Sequence, residues 1–304
     1  MCTIAGGKGG VGKTTTAVNL GAVLQEMGYD VAVVDADLGM ANLGSMLSVE
    51  PEKSLHEILA GEAAVSEALT DAPGGLTVIP GEQSLEAFAD ADPAKLRKVI
   101  KTLRNAYDVV LIDTGAGLSH EVAVPLGLAD GIVLVTTPDD VAVGDTVKTA
   151  QLANRIDGTV LGSIINRATR HTDVAAIAEQ MEFPLLAVIP DDPQATTEEP
   201  LVLNAPESTA ADAYQRLTEA LEGVFFRGES PKRISRRYST TSGSSTTPRI
   251  TPMSTTTRTP AVCSASSTDG SVPPAGPVSA RRSDRISLSL THSGSGGHSV
   301  ATVS

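Results

Sequence analysis

Short, continuously apolar runs alternate along the chain with longer segments in which apolar residues recur at helical spacing. The apolar runs predict strands at residues 1–5, 31–34, 76–79, 109–112, 132–135, 160–165 and 185–189. The helical spacing predicts helices at residues 13–27, 54–59, 93–104, 141–155, 173–181 and 208–224. Strands that are apolar throughout are typical of a sheet covered on both faces. The pattern therefore predicts an α/β fold, a mostly parallel sheet with helices on both faces.

Charge and composition divide the chain into two parts. Residues 1–228 hold 14 basic and 33 acidic side chains, a net charge of −19, whereas residues 229–304 hold 9 and 3, a net charge of +6. Ser and Thr make up 31 of the last 76 residues. Such a segment has too little apolar surface to offset its ordering entropy. We expect one globular domain over 1–228 and a disordered, basic, Ser/Thr-rich C-terminal tail over 229–304. A functional tail and a change of reading frame in the source gene both fit this shift.

Several classes of protein are excluded or disfavoured by the same composition. No run approaches the roughly 20 apolar residues that cross a bilayer, and the first residues do not resemble a secretion signal. Cys2 and Cys263 are the only cysteines, so neither a disulfide framework nor a cysteine-rich metal site fits within one chain. A domain with a net charge of −19 would repel DNA. These features predict a cytoplasmic protein for which DNA is not an expected partner.

A phosphate-binding pattern, G-x-x-x-x-G-K-[ST], lies between the first predicted strand and the first predicted helix. In such a loop the glycines turn backbone N–H groups toward an anion at the start of the helix. The lysine, Lys13, would contact the β- and γ-phosphates, and the Thr14 hydroxyl would ligate Mg²⁺. The residues of the pattern are Gly7, Lys8, Gly9, Gly10, Val11, Gly12, Lys13 and Thr14.

With Lys8 and Thr15 included, residues 8–15 read K-G-G-x-G-K-T-T. This resembles the deviant Walker A motif of the MinD/ParA family of P-loop ATPases. The resemblance implies that ATP and Mg²⁺ are bound, with Thr15 among the nucleotide-binding residues. It also implies an ATP-dependent homodimer in which Lys8 reaches the partner's phosphates and acts as a catalytic residue with Lys13. A lysine at the loop tip that attracts phosphate only in a general way stays an alternative for Lys8.

Acidic residues follow the second predicted strand in the pattern D-x-D-x-G-x-x-N-L, residues 35–43. The pattern resembles the switch I segment of MinD. The resemblance implies that Asp37 lies beside the γ-phosphate, where it orients the attacking water, and that it is a Mg²⁺-binding residue together with Thr14 and Asp113. It further implies that Asp35 supports the metal shell and that Asn42 lies near the dimer interface. Either aspartate is also a common way to end a strand.

Asp113 ends a third apolar run, which gives the segment a Walker B pattern. An aspartate at this place would hold Mg²⁺, through water, while Gly115 and Gly117 would let the following backbone approach the γ-phosphate. Bacterial MinD proteins commonly have proline where Gly115 stands, so the stiffness of this segment is an open question.

The base side of the site is predicted by resemblance alone. Asn166 follows a later strand and resembles the asparagine with which the family reads adenine. The loop that begins at Pro190 and includes Asp192 resembles the family's adenine-side loop. A guanine-specific signature is lacking near Asn166, so ATP is favoured over GTP. A solvent-exposed turn asparagine is the alternative for Asn166.

Of the branches of the family, the MinD-like proteins match best. The resemblance implies a slow ATPase, activated by a partner protein, that serves as a dimerisation switch in positioning the division site or a surface appendage. A ParA-like DNA-partitioning ATPase and a biosynthetic amido-ligase of the same fold are the alternatives. Phe225 and Phe226 precede a basic cluster at residues 232–237. These aromatic residues either contact the inner face of the membrane peripherally or close the core.

Overall fold

One eight-stranded sheet forms the centre of the computed structural model, which describes residues 1–193, 195 and 198–231. Its order is β3-β4-β2-β5-β1-β6-β7-β8, and neighbouring strands are parallel except β3 and β4. All seven predicted strands are present. The two-residue β3 was not predicted, because Thr70 and Asp71 leave no apolar pattern. The bounds are Cys2–Gly6 (β1), Val31–Ala36 (β2), Thr70–Asp71 (β3), Thr77–Ile79 (β4), Val109–Ala116 (β5), Gly131–Thr136 (β6), Val160–Ala168 (β7) and Leu185–Pro190 (β8).

Helices connect these strands, and the six predicted ones are present to within a few residues. The helix predicted to start at residue 93 begins with a 3₁₀ turn, Pro93–Lys95, in which the Asp92 carboxylate accepts a hydrogen bond from the Ala94 N–H at 3.0 Å. The α-helices are Lys13–Glu26 (α1), Leu43–Met46 (α2), Leu55–Ala60 (α3), Leu85–Asp90 (α4), Leu96–Arg104 (α5), His120–Leu128 (α6), Asp140–Arg155 (α7), Val174–Met181 (α8), Leu201–Asn204 (α9) and Thr209–Arg227 (α10).

α6 is the longest helix that the sequence pattern did not predict. Its residues are mostly apolar with little helical periodicity, and Pro125 lies inside it. Proline removes a backbone donor, so a proline in a sequence usually argues against a helix interior. Here the Pro125 carbonyl accepts a hydrogen bond from the Thr3 hydroxyl of β1 at 3.0 Å. Packing against the sheet therefore stabilises a helix that the local sequence disfavours.

The helices cover both faces of the sheet, which confirms the predicted fold class. α1, α9 and α10 pack on one face in a single apolar cluster, and α3, α5, α6, α7 and α8 pack on the other. Neighbouring strand residues such as Val33 and Val34 belong to clusters on opposite faces. This arrangement explains why the strands are apolar throughout.

The carboxyl ends of the seven parallel strands lie at one end of the sheet, called here the carboxyl end. Asp35 of β2 and Asp113 of β5 are register partners there. α10 ends at Arg227 and is followed by Gly228 with a φ of 64°. The boundary at residue 228 stays a prediction. Nearly all of the expected tail, including the basic cluster at 232–237, lies outside the described residues.

Candidate functional site

The link between β1 and α1 is the glycine-rich loop predicted to bind phosphate. Gly10 and Gly12 have φ values of 76° and 97°, a left-handed conformation that residues with a Cβ rarely adopt. Gly7 has a steric requirement instead, since a Cβ there would lie 2.1 Å from the carbonyl carbon of Asp145. Gly9 is exposed at the tip, with open space around it. The loop leads directly into the N-terminus of α1, whose first N–H groups favour an anion.

Lys13 and Thr14 are buried at the start of α1, with exposed fractions of 6% and 9%. A lysine is rarely buried without an anionic partner. The charge of Lys13 acts on the nearby Asp113 carboxyl. Burial of Asp113 raises the pKa of its carboxyl well above the ordinary value, and the Thr14 hydroxyl and the Lys13 charge oppose that rise. Residues predicted from two separate segments are therefore brought together.

Asp113 is fully buried, and its environment is suited to a cation. Within the described part of the chain, neither carboxylate oxygen has a hydrogen-bond partner of normal geometry, an uncommon and destabilising arrangement. The negative charges of Asp35 and Asp37 raise its pKa further. Mg²⁺ is commonly held by one or two carboxylates, a hydroxyl and nucleotide phosphates. The unpartnered Asp113 and the Thr14 hydroxyl fit that donor set.

The protein groups alone do not complete a metal site. Among the residues that the structure describes, no cluster of three or more His, Cys, Asp or Glu side chains is arranged to hold a metal ion. Water and the phosphate oxygens of a nucleotide are the further ligands that Mg²⁺ usually takes in such sites. Cation binding at this place should depend on the nucleotide.

Asp35 is bound by backbone N–H groups of the loop that follows β2. Its Oδ2 accepts hydrogen bonds from the N–H groups of Asn42 and Leu43, both at 2.9 Å, and its Oδ1 accepts one from the Asp37 N–H at 3.3 Å. Burial raises the pKa of Asp35 to about 6 despite these bonds. Asp35 thus holds the loop after β2 closed onto the start of α2.

Asp37 lies between the loop after β2 and the end of β5. Its Oδ1 accepts a hydrogen bond from the Met40 N–H at 3.1 Å. A Cβ on Gly115 would lie only 3.0 Å from that oxygen. The absence of a side chain at Gly115 therefore gives the Asp37 carboxylate its space, beside the Asp113 carboxylate on which its charge acts.

Lys8 is half-exposed at the loop tip and forms an ion pair within its own chain. Its Nζ lies 3.2 Å from Oδ1 of Asp139. The same oxygen accepts the Ala142 N–H at 2.8 Å, which makes Asp139 the N-cap of α7. Sequence reasoning missed Asp139, although an aspartate within two residues of the start of a predicted helix is a recognisable capping signal.

Asn166 lies at β7, next to the phosphate loop. Its Nδ2 donates to the Val11 carbonyl at 2.9 Å, and its Oδ1 accepts the Arg167 N–H at 2.9 Å. A Cβ on Gly12 would lie 2.1 Å from that amide nitrogen. Asn166 is therefore adjacent to the predicted site, and in this structure its amide supports the loop.

The loop after β8 is fixed by its own contacts. Pro190 is paired in register with Ala168 of β7. The Oδ2 atom of Asp192 accepts hydrogen bonds from the N–H and hydroxyl of Thr209 at 2.7 and 2.6 Å, at the start of α10. A hydrogen bond between Asn19 of α1 and Glu199 joins this region to the helix. No sequence pattern connects Asn19 with Glu199, because they are 180 residues apart.

A parallel sheet in which a glycine-rich strand–loop–helix unit meets a buried lysine, threonine and strand-end aspartate defines a P-loop nucleotide-binding protein. A family model described as "AAA domain" matches residues 1–160. Together with the relatives below, this match shows that the chain belongs to the MinD/ParA family of P-loop ATPases. Within that family it is similar to the MinD-like proteins.

The relatives cover nearly the whole described domain. An uncharacterized ATP-binding protein of Methanocaldococcus jannaschii is 35% identical over 238 residues, which is 76% of this chain and 90% of that protein. The septum site-determining protein MinD of Synechocystis is 30% identical, over 73% of this chain and 89% of that protein.

Solved structures agree with these relatives. MinD of Pyrococcus horikoshii, complexed with Mg-ADP, superposes with a TM-score of 0.70 at 37% identity and covers 75% of this chain and 98% of its own. Cobyrinic acid a,c-diamide synthase of Mycobacterium smegmatis, with bound ADP and magnesium, has a TM-score of 0.65 at 26% identity and covers 77% and 98%.

The aromatic residues near the end of α10 pack at the opposite end of the sheet, called here the amino end. Phe226 stacks on Tyr29, with ring centroids 4.2 Å apart and an interplanar angle of 3°. Phe225 packs against the apolar cluster that contains α1 and α10. In the described residues, no helix is both long and apolar enough to cross a bilayer. Both aromatic rings thus have partners within the domain.

Proposed function

We propose that this protein is a MinD-like ATPase whose ATP-bound form is a homodimer and which hydrolyses ATP with Mg²⁺. One observation carries the proposal. The face that surrounds the buried phosphate-binding residues combines an exposed lysine with exposed apolar side chains.

That face follows from the topology. Four adjacent strands, β2, β5, β1 and β6, end side by side. The segments after three of them expose Met40, Leu118 and Val141, with exposed fractions of 76%, 54% and 61%, and the segment after β1 carries Lys8. Large apolar side chains grouped on one face of a domain commonly mark an interaction surface. A second copy that meets this face would bring its own Lys8 to the phosphates.

The residues divide the chemistry among them. The backbone of residues 7–15 binds the phosphates, with Lys13 and the partner's Lys8 neutralising their charge. Thr14 and Asp113 hold Mg²⁺, which would neutralise charge on the β- and γ-phosphate oxygens. Asp37 orients the attacking water. Its carboxylate lies in the space left by the missing side chain of Gly115. Catalysis of this kind depends on positioning and electrostatics rather than on covalent chemistry.

The base-side and cellular roles rest on the family resemblance. Asn166, Pro190 and Asp192 would lie along the adenine. Hydrolysis would be slow until a protein partner binds, and the switch would position a division site or a surface appendage from the cytoplasm. A peripheral membrane contact would use the exposed part of Phe226, which keeps 42% of its surface accessible while it stacks on Tyr29. The net charge of −19 over residues 1–228 disfavours DNA as a partner.

Light scattering after size exclusion tests the switch. The Asp37→Ala protein, with hydrolysis blocked, should be a monomer with ADP and a dimer with ATP and Mg²⁺. Adding Lys8→Ala should abolish the dimer, whereas Lys98→Ala, which removes an exposed lysine on α5, should not. A molar mass that is the same with ADP as with ATP and Mg²⁺ would contradict the proposal.

The second candidate is an amido-ligase, favoured by the structural likeness to cobyrinic acid a,c-diamide synthase. In that reaction class ATP activates a substrate carboxylate, so turnover requires a small molecule and the dimer is constitutive. ATP consumption that appears only with an added carboxylic acid would support the ligase and contradict the switch.

A further inference from the structure

Asn19 is a fully buried polar side chain in the second turn of α1. Its Nδ2 donates to the Thr15 carbonyl at 2.8 Å and to Oε2 of Glu199 at 2.7 Å. Its Oδ1 accepts the N–H of Val202 at 2.9 Å. One side chain thus joins the helix that begins at the phosphate loop to the segment 199–202.

Glu199 is the other half of this link. The oxygen that binds Asn19 also accepts the Leu201 N–H at 2.8 Å, at the start of α9. Burial raises the pKa of the Glu199 carboxyl, and the Leu201 N–H, Asn19 and the Thr15 hydroxyl oppose the rise. A carboxylate whose bonds come from two elements fixes those elements relative to each other, and hydrogen bonds to a charged group are among the stronger ones.

The link closes one side of the site. The chain leaves β8 at Pro190, is tied to the start of α10 through Asp192, and reaches α9 at Leu201. Leu201 and Val202 pack in the same apolar cluster as α1. Asp192 is therefore bound to α10, and residues 199–202 are bound to α1.

We propose that Glu199 is a positioning residue for nucleotide binding. Through Asn19 it holds the segment after β8, on the side where the purine base is expected, against the helix that carries Thr14 and Thr15. This inference rests on the proposed function, because it requires a nucleotide in this site. The inference identifies the Glu199–Asn19 hydrogen bond as the contact that fixes the base side of the site relative to the phosphate side.

Calorimetric titration with Mg-ADP and with Mg-tripolyphosphate tests the inference, since the second probe has phosphates but no base. Glu199→Ala should weaken Mg-ADP binding about tenfold and tripolyphosphate binding less than about twofold. Glu199→Gln retains an oxygen for Asn19 and Leu201 and should recover most of the loss. Glu219→Ala, which removes an exposed carboxylate of α10, should leave both affinities unchanged.

Equal losses for the two probes, no loss, or no recovery by glutamine would overturn the positioning role. If Glu199→Ala does not fold, Glu199→Asp replaces it, because the shorter side chain keeps the charge and withdraws from Asn19. Its loss should again be confined to Mg-ADP. A wild-type protein that binds neither probe would contradict the proposed function itself, whereas unaltered binding in every variant would contradict only the inference.

Discussion

The two ends of the sheet differ in how their charged side chains are exposed and paired. At the amino end, the carboxylate of Asp130 lies at the surface and is paired. Asp130 accepts hydrogen bonds from the Met1 amino group at 2.9 Å and from Arg104 at 3.1 Å. At the carboxyl end, Lys13, Asp35 and Asp113 are buried, and Asp113 has no hydrogen-bond partner among the described residues. Asp130 at the amino end is thus satisfied by groups of its own chain, whereas Asp113 at the carboxyl end is not.

The most severe test of this difference removes the buried lysine. Lys13→Ala should reduce ATP affinity by at least about 100-fold, because the lysine is proposed to contact the phosphates directly. Calorimetric titration measures the effect, with Lys98→Ala on α5 as the matched control. Wild-type affinity in the Lys13 variant would show that the buried charge has no ligand to balance.

Asp113→Asn should separate stability from ligand binding. The folded state raises the pKa of the Asp113 carboxyl, so ionising this carboxyl destabilises the fold. Its unfavourable effect on stability grows as the pH rises above the pKa that the carboxyl has in the unfolded chain. Without nucleotide, the variant should therefore melt about 3–6 °C higher at pH 7, with the gain shrinking toward pH 4. The stabilisation by Mg-ATP should be largely lost, since the carboxylate is proposed to hold the cation.

The matched variant at the amino end, Asp130→Asn, should change the melting temperature in the opposite direction. Partial burial alone would raise the pKa of Asp130, but the Met1 amino group and Arg104 lower it. Its stabilisation is present above the unfolded pKa and is lost as the pH falls. Asp130→Asn should thus lower the melting temperature slightly at pH 7 and leave nucleotide binding intact. Thermal denaturation between pH 4 and 8 measures both effects. If the two substitutions shift the melting temperature in the same direction, the comparison is contradicted.

Gly115→Ala places a methyl group against the carboxylate of Asp37. We expect ATP turnover to fall about three- to tenfold with little change in affinity, because the carboxylate must move by a fraction of an ångström. Gly39→Ala is the control, as a Cβ there has nothing within 4 Å. Steady-state kinetics distinguish the two, and an unchanged turnover number for Gly115→Ala would weaken the role assigned to Asp37.

The smallest effect is expected at the surface pair of Lys8 and Asp139. Asp139→Asn keeps an N-cap for α7 but removes the charge that holds Lys8 in its own chain. Dimerisation should then need about two- to threefold less ATP at low salt, with the difference declining as salt is added. Asp140→Asn, at the adjacent exposed position, is the control. Light scattering at several ATP concentrations gives the midpoints.

The sequence was sufficient for the seven parallel strands and for placing Lys13, Thr14 and Asp113 at the carboxyl end of the sheet, because those predictions depend on local patterns. It was insufficient where the contacts are distant along the chain. The hydrogen bonds of Asp35 to Asn42 and Leu43 depend on the path of a whole loop, and the contact of Asn166 with Val11 joins residues 155 apart. α6 was missed because tertiary packing outweighs the local effect of Pro125.

The shortness of β3 has a consequence beyond the site. This strand forms one lateral border of the sheet, with only Thr70 and Asp71 in it, and it runs against the direction of its neighbour. So small a border offers few backbone groups to which a foreign strand can add. In a protein proposed to associate and separate repeatedly through its loops, such a border disfavours irreversible growth into fibrils at this side of the sheet.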